Sequence, residues 1–229
     1  MLTTGFGVLE VPATWPASAE EWLTLLHKNT LVGLILFEVS DLINYALVGL
    51  IFLALYGALR QADKSAMVVA TTFAFVGIAV YFASNQAFSM LSLSGRYAGA
   101  TSEAQRAMIL AAGEALLAIN NPGNIVQGTG VHLSLFLVIL SGLLISIVMS
   151  RSAVFSKATA YAGILANGIA LGYFAALILA PALTWLPAAA YAPFRLAWYI
   201  LIATRLFQLA RRVPKEGRAT AANTSTSGQ

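Results

Sequence analysis

The chain has 229 residues, of which 59% are hydrophobic and 10% are charged, and its formal net charge is +4. Soluble domains carry about 25% charged residues, so this composition excludes that class and indicates an integral membrane protein in a lipid bilayer. There is no cysteine, which removes disulfides and thiolate sites, and the basic residues follow apolar stretches in a pattern that indicates membrane topology rather than nucleic-acid binding.

The first 29 residues are predicted to form a polar tail that contains one short amphipathic helix. Ser18 and Glu21 have the spacing of a capping box, and Trp22, Leu25 and Leu26 then fall on one side of the helix. We expect this helix to lie on the membrane surface.

Five apolar stretches follow, each long enough for the roughly 20 residues that a membrane-spanning helix needs. The predicted spans are 30–59, 66–91, 125–150, 158–179 and 188–210. Between the second and third spans, Ser102 and Gln105 form another capping box, which predicts an outer interfacial amphipathic helix over 103–120. The fold class is therefore all-α, a polytopic membrane helical bundle over 30–212, followed by a polar tail at 213–229 that we expect to be disordered.

The basic residues are distributed unequally between the two sides of this five-span topology. One side has Arg60, Lys64, Arg151, Lys157, Arg205, Arg211, Arg212, Lys215 and Arg218. The other side has Lys28, Arg96 and Arg106. The positive-inside rule then predicts an external N-terminus and a cytoplasmic C-terminus, with Trp15, Trp22 and Trp185 at the outer interface.

The first span contains acidic residues, which are costly in hydrocarbon and mark a functional or paired position. At 100° per residue, the two acids of this span and four further residues fall on one narrow stripe of the helix, with Asn44 on the flank of that stripe. The stripe consists of Glu38, Asp41, Tyr45, Gly49, Phe52 and Tyr56. We predict that this face points into the bundle.

Polar residues in the other spans lie at a similar depth, about 24–33 Å from the cytoplasmic basic residue of their own span at 1.5 Å per residue. These residues, with the two acids, predict an outward-facing polar pocket. The candidate pocket residues are Glu38, Asp41, Asn44, Asn85, Gln86, His132, Tyr173 and Arg195.

The same residues allow structural interpretations. Arg195 could be the counter-ion of Glu38 or Asp41, which leaves one carboxylate to be protonated, to bind a cation or to pair with Arg106. His132 with the two acids could form a metal site, but no spacing motif supports it, so no catalytic residue, metal ligand or cofactor is assigned.

Amides and small residues have a simpler interpretation as packing groups. Asn85 and Gln86 are expected to form hydrogen bonds between helices, and so is Asn167. The spacing Gly168-x-x-x-Gly172, with Gly163 before it, is expected to allow close helix packing.

Several stretches of the sequence resemble an uncharacterised bacterial family of multi-pass membrane proteins, domain of unknown function 4386. They are "LALYGALR" (53–60), "VYFASNQAFSMLSLSGRYAGATSEAQRAMILAAGEALLA" (80–118), "SGLLISIVMSRSAVFSKATAYAGILAN" (141–167) and "PFRLAWYILIATRLFQLARR" (193–212). The resemblance covers most of the chain after residue 30 and implies a bacterial cytoplasmic membrane. It implies no reaction and no functional residues.

From the residues we predict that the pocket binds or senses a small ligand or a cation, or mediates assembly with another membrane protein, including a second copy of this chain. A metal-assisted intramembrane hydrolase of lipids, built on His132 and the acids, is the alternative from a different class. A transporter is a third possibility, although the chain shows no internal repeat.

Overall fold

The computed structural model describes residues 14–124 and 126–226, with side chains through residue 211. The described chain is 83% helical and has no strand. The helices are α1 (Ala19–Lys28), α2 (Thr30–Leu36), α3 (Val39–Leu59), α4 (Lys64–Ser84), α5 (Ala87–Ala98), α6 (Glu103–Ile119), α7 (Thr129–Arg151), α8 (Lys157–Leu179) and α9 (Trp185–Thr226), with a 3-10 turn at Pro181–Leu183. The predicted all-α class is confirmed.

Five helical stretches of the described chain are long and apolar enough to cross a membrane. They are Val39–Leu59, Lys64–Ala98, Thr129–Arg151, Lys157–Leu179 and Pro181–Arg211. The protein is therefore a multi-pass membrane protein, as the composition predicts. Two of the predicted spans contain a helix break. The first span divides into α2 and α3, and the second divides into α4 and α5.

The chain folds into two compact units. Unit 1 comprises the described residues of Met1–Leu50 and Phe75–Leu137, and unit 2 those of Ile51–Ala74 and Val138–Gln229. Three of the long helices, α3, α4 and α7, contribute residues to both units.

The short helices of unit 1 pack around a core of their own. Helix α1 packs against α2, α5 and α6, and Trp22, Leu23 and Leu26 are fully buried there with Phe37 and Met90. The apolar side of α1 is thus covered by protein, whereas we expected it to lie on the membrane surface. The Trp22 ring likewise packs inside this core, and its position at the outer interface stays a prediction.

In both predicted capping boxes of unit 1 the serine cap forms, while the side chains of Glu21 and Gln105 accept from the residues before the caps, Ala17 and Thr101. Ser18 Oγ accepts the Glu21 N–H at 3.3 Å, and Ser102 Oγ accepts the Gln105 N–H at 3.2 Å. Glu114 of α6 adds a link between the two helices, because its Oε1 accepts the Ala19 N–H at 2.8 Å and so satisfies a free donor at the start of α1.

In unit 2, α8 and α9 pack side by side, and one glycine permits the closest approach. A Cβ at Gly163 would lie 2.1 Å from Ser146 Oγ and 2.4 Å from Trp198 Nε1. The predicted motif, Gly168-x-x-x-Gly172, lies further along α8. A Cβ added at Gly168 would meet no atom within 4 Å, and one added at Gly172 would lie 4.0 Å from Pro187. The close packing predicted for the Gly168-x-x-x-Gly172 pair therefore occurs at Gly163.

Helix α9 is longer than the predicted fifth span. Pro187 lies in its first turn, where the missing N–H costs nothing, and Pro193 lies within the helix. The backbone stays helical to Thr226, through most of the segment predicted to be disordered, and residues 227–229 lie outside the described chain.

Candidate functional site

The most unusual backbone position of the described chain is Glu38, a non-glycine residue with φ 63°. It separates α2, which ends at Leu36, from α3, which begins at Val39. Left-handed backbone at a side chain larger than glycine costs free energy and persists only where surrounding contacts hold it. Phe37 supplies such a contact, because its ring is buried edge-on against Trp22 with centroids 4.8 Å apart.

The Tyr81 hydroxyl contacts one of the two acids of the first span. It donates to Glu38 Oε2 at 3.2 Å. The ring of Tyr45 stacks on that of Tyr81 with centroids 4.1 Å apart and an interplanar angle of 8°. Because the Tyr81 side chain is buried and stacked, its hydroxyl is held at Glu38, three residues before Asp41.

A second helix break faces the first. Helix α4 ends at Ser84 and α5 begins at Ala87, and the Asn85 side chain bonds to both breaks. Its Nδ2 donates to the Glu38 carbonyl at 3.5 Å, and its Oδ1 accepts the Ala87 N–H at 3.1 Å. Asn85 therefore joins two helices as predicted, whereas Gln86 Nε2 donates locally to the Ser84 carbonyl at 3.3 Å.

Neither break contains glycine or proline, so the apolar pattern alone predicted continuous helices. The sequence "SNQ" at 84–86 carried a weak signal, because asparagine and serine are favoured where helices begin. No comparable signal marks Glu38.

The start of α7 lies beside the second break. A Cβ at Gly130 would lie 2.0 Å from Ser84 Oγ, so only glycine fits there. His132 follows, and its Nε2 accepts the Gln127 N–H at 3.2 Å. This bond gives His132 a structural role in holding the loop before α7. The described residues contain no group of three or more His, Asp or Glu side chains that could hold a metal ion, so the hydrolase alternative gains no support.

The remaining predicted pocket residues, Tyr173 and Arg195, belong to unit 2. Arg195 Nη2 donates to the Tyr199 hydroxyl at 2.9 Å, and its guanidinium lies 5.9 Å from the centroid of the Tyr191 ring. Tyr173 makes an edge contact with Phe174. The pairing of Arg195 with an acid of the first span stays a prediction. Arg106, the other proposed partner, forms an ion pair with Glu103 at 3.7 Å.

The buried side of α3 overlaps the predicted stripe only in part. Gly49 and Phe52 are buried, and Asp41 and Tyr45 are half-buried, as is Glu38 just before the helix. Val48, Leu55 and Leu59, which are not among the stripe residues, are buried as well. Asn44, which was predicted on the flank of the stripe, is exposed and does not join the acids. Four of the eight candidate residues thus lie together at the breaks: Glu38, Asp41, Asn85 and Gln86.

Helix ends of both signs meet at this acidic site. The carboxyl-terminal ends of α2 and α4 carry partial negative charge, whereas the amino-terminal ends of α3 and α5 carry partial positive charge, and Asp41 lies in the first turn of α3. Within the described part of unit 1, no basic side chain forms an ion pair with either acid. The two carboxylates thus lack a basic counter-ion among the described residues of their own unit.

Comparison with known proteins adds the family. Residues 1–214 match the family described as Domain of unknown function (DUF4386). The chain belongs to the DUF4386 family. The match includes the first 29 residues, which the resemblance of the sequence did not reach. No curated protein and no solved structure matches the chain.

Replacing Glu38 with glycine in this DUF4386 protein is expected to give a more stable variant than Glu38→Ala. Both changes remove the carboxylate, but only glycine adopts a φ of 63° without a Cβ clash. The Cβ clash destabilises the alanine variant by about 1–2 kcal/mol, and glycine avoids it. The greater conformational freedom of glycine in the unfolded state offsets roughly 0.5–1 kcal/mol of this advantage. Unfolding in detergent should favour the glycine variant by up to about 1 kcal/mol. A glycine variant less stable than the alanine variant would contradict the left-handed backbone.

Proposed function

We propose that this multi-pass membrane protein binds a small monovalent cation at the acidic site formed by Glu38 and Asp41. The observation that carries the proposal is the placement of two carboxylates, Glu38 and Asp41, at a break in a membrane helix, with the buried Tyr81 hydroxyl donating to Glu38.

The argument starts from the number of available protons. A tyrosine hydroxyl has one proton and can donate to one carboxylate at a time. With Tyr81 donating to Glu38, the amino-terminal end of α3 compensates only part of an Asp41 charge, and unpaired charge in a partly dry site is costly. A bound cation compensates both acids at once.

The ligand chemistry favours a hard cation that accepts oxygen ligands. Carboxylate oxygens are the groups available here, because the Glu38 carbonyl already accepts from the Asp41 N–H and from Asn85, and hard cations prefer oxygen ligands. A transition-metal site would favour a cluster of His, Asp or Glu side chains. The described residues contain no group of three such side chains.

The basic residues of the sequence support a membrane orientation with the acidic site facing outward. The positive-inside rule favours an external N-terminus, and the family resemblance favours the bacterial cytoplasmic membrane. A site in this position would sense or accept cations from outside the cell.

Thermal unfolding of the purified full chain in detergent tests the proposal. We compare NaCl and KCl with N-methyl-D-glucamine chloride at constant ionic strength, so that only the small cation changes. A ligand at about 10 times its Kd stabilises the folded state by about 1.4 kcal/mol, which raises Tm by a few degrees. Glu38→Gln and Asp41→Asn should each abolish this increase.

Glu103→Gln is the matched control, because it removes an acid whose side chain is 92% exposed and which lies outside the site. It should keep the full increase in Tm. A wild-type Tm that is equal in all three salts would contradict the proposal. So would a stability that depends on pH through both acids but on neither cation, because the site would then bind a proton.

A further inference from the structure

A separate cavity of about 400 Å³ lies in unit 2, between the loop before α8 and the side of α9. Its lining combines one guanidinium, hydroxyls, an amide and a short apolar wall. The polar lining residues are Ser156, Thr159, Thr204, Arg205 and Gln208. None of them belongs to the acidic site.

Arg205 is half-buried and only partly used by the protein itself. Its Nε donates to the Val154 carbonyl at 2.6 Å, and Nη1 donates to Gln208 Oε1 at 3.3 Å. A guanidinium has five N–H donors, so these two bonds leave three for a ligand. The bonds also fix the orientation of the guanidinium plane, which favours recognition of planar or tetrahedral anions.

The start of α8 adds two hydroxyls to the same cavity wall. Ser156 is its N-cap and accepts the Thr159 N–H at 3.2 Å, and the Ser156 and Thr159 hydroxyls lie 2.9 Å apart. The positive end of the helix dipole lies at this point. A guanidinium beside a helix N-terminus is a suitable arrangement for a phosphate group.

The position of the cavity along the helices matches the depth of lipid headgroups. The cavity lies where α8, a candidate span, begins and close to Arg211, where the candidate span of α9 ends. Further basic residues of unit 2 at the same predicted membrane side are Arg60, Lys64, Arg151 and Lys157. Basic cavities between membrane helices at this depth bind anionic headgroups.

We propose that the cavity of Arg205 and Ser156 binds a phosphate group, either the headgroup of an anionic lipid or free phosphate. The site is independent of the acidic site, because it lies in the other unit and uses other residues.

Ligand-dependent Tm shifts of the full chain in detergent test this inference. The probes are dioctanoyl phosphatidylglycerol, dioctanoyl phosphatidylcholine at equal concentration, and sodium phosphate against sodium chloride at equal ionic strength. A Tm increase with phosphatidylglycerol alone supports the site and identifies a lipid headgroup. A Tm increase with sodium phosphate as well supports the site and identifies the phosphate group itself as sufficient.

Two variants test the residues. Arg205→Gln removes the guanidinium, and Gln208→Glu adds a negative charge to the wall while its carboxylate can still accept from Arg205. Each should raise the Kd for the stabilising probe by about tenfold or more. Arg60→Gln is the control, because it also lowers the net charge by one but does not line the cavity, and its Kd should stay within about twofold.

Two results would overturn the inference. One is a wild-type Tm that no probe raises above its phosphatidylcholine or chloride reference. The other is an Arg60→Gln variant that loses as much affinity as Gln208→Glu, since that would indicate diffuse attraction of anions to a basic surface. Glu38→Gln should leave all of these shifts unchanged, so failure here is distinguishable from failure of the cation site.

Discussion

Trp22→Ala is expected to lower the free energy of unfolding of the α1, α5 and α6 region by about 3–5 kcal/mol. Trp22 is fully buried, and its ring contacts both Phe37 and Trp15. Its Nε1 has no hydrogen-bond partner among the described residues, so the loss is one of apolar packing. A cavity of this size cannot be filled by the short helices around it without moving them.

The expected consequence of Trp22→Ala is local opening rather than loss of the membrane helices. Helix α1 should exchange its amide hydrogens faster, and trypsin should cleave after the exposed Lys28 at the end of α1. Trp15→Ala is the matched control, because Trp15 is 50% exposed and should change cleavage little. Equal cleavage rates of the two variants would contradict a buried α1.

Gly163→Ala is expected to give the second large loss of stability. An added Cβ would lie 2.1 Å from Ser146 Oγ and 2.4 Å from Trp198 Nε1, far inside van der Waals contact. Trp198 is a large, buried ring and cannot move away without displacing α9. Overpacking of this kind costs about 1–3 kcal/mol.

Gly168→Ala on the same helix is the control for Gly163→Ala. Its added Cβ meets no atom within 4 Å, so the higher helix propensity of alanine should leave stability unchanged or raise it by up to about 1 kcal/mol. Thermal unfolding of both variants in one detergent measures the difference. If Gly168→Ala is the more damaging change, the close packing at Gly163 is wrong.

The candidate site shows how far the sequence could be used alone. Helical periodicity placed Glu38, Asp41 and Tyr45 on one stripe, and these side chains do share a half-buried face. Periodicity could not find Tyr81, whose hydroxyl donates to Glu38, because the contact joins residues 43 positions apart in the chain. Tyr81 was missed since a tyrosine within an apolar run has no local feature that distinguishes it.

His132 has a contact that its residue type does not identify. Its predicted depth made it a candidate pocket residue, which stays a prediction, and its Nε2 accepts a hydrogen bond from the nearby Gln127 backbone. The bond between Gln127 and His132 spans only five residues, but it depends on a turn whose geometry cannot be predicted from hydropathy.

The sequence by itself determined the properties that depend on local composition. Runs of apolar residues specify five helices that are long and apolar enough to cross a membrane, where unpaired backbone groups would be too costly. Ser18 and Ser102 specify helix starts, because their hydroxyls need only the backbone three residues ahead.

Only the tertiary structure decided where those helices break and which of their faces are covered. The break at Glu38 depends on Phe37 packing against Trp22, and the break at Asn85 depends on a bond to the Glu38 carbonyl. Each contact joins residues that are distant in sequence. It stabilises a helix break whose backbone conformation is locally unfavourable and which apolar periodicity does not predict. The acidic site exists because these long-range contacts stabilise two helix ends that apolar periodicity would have continued.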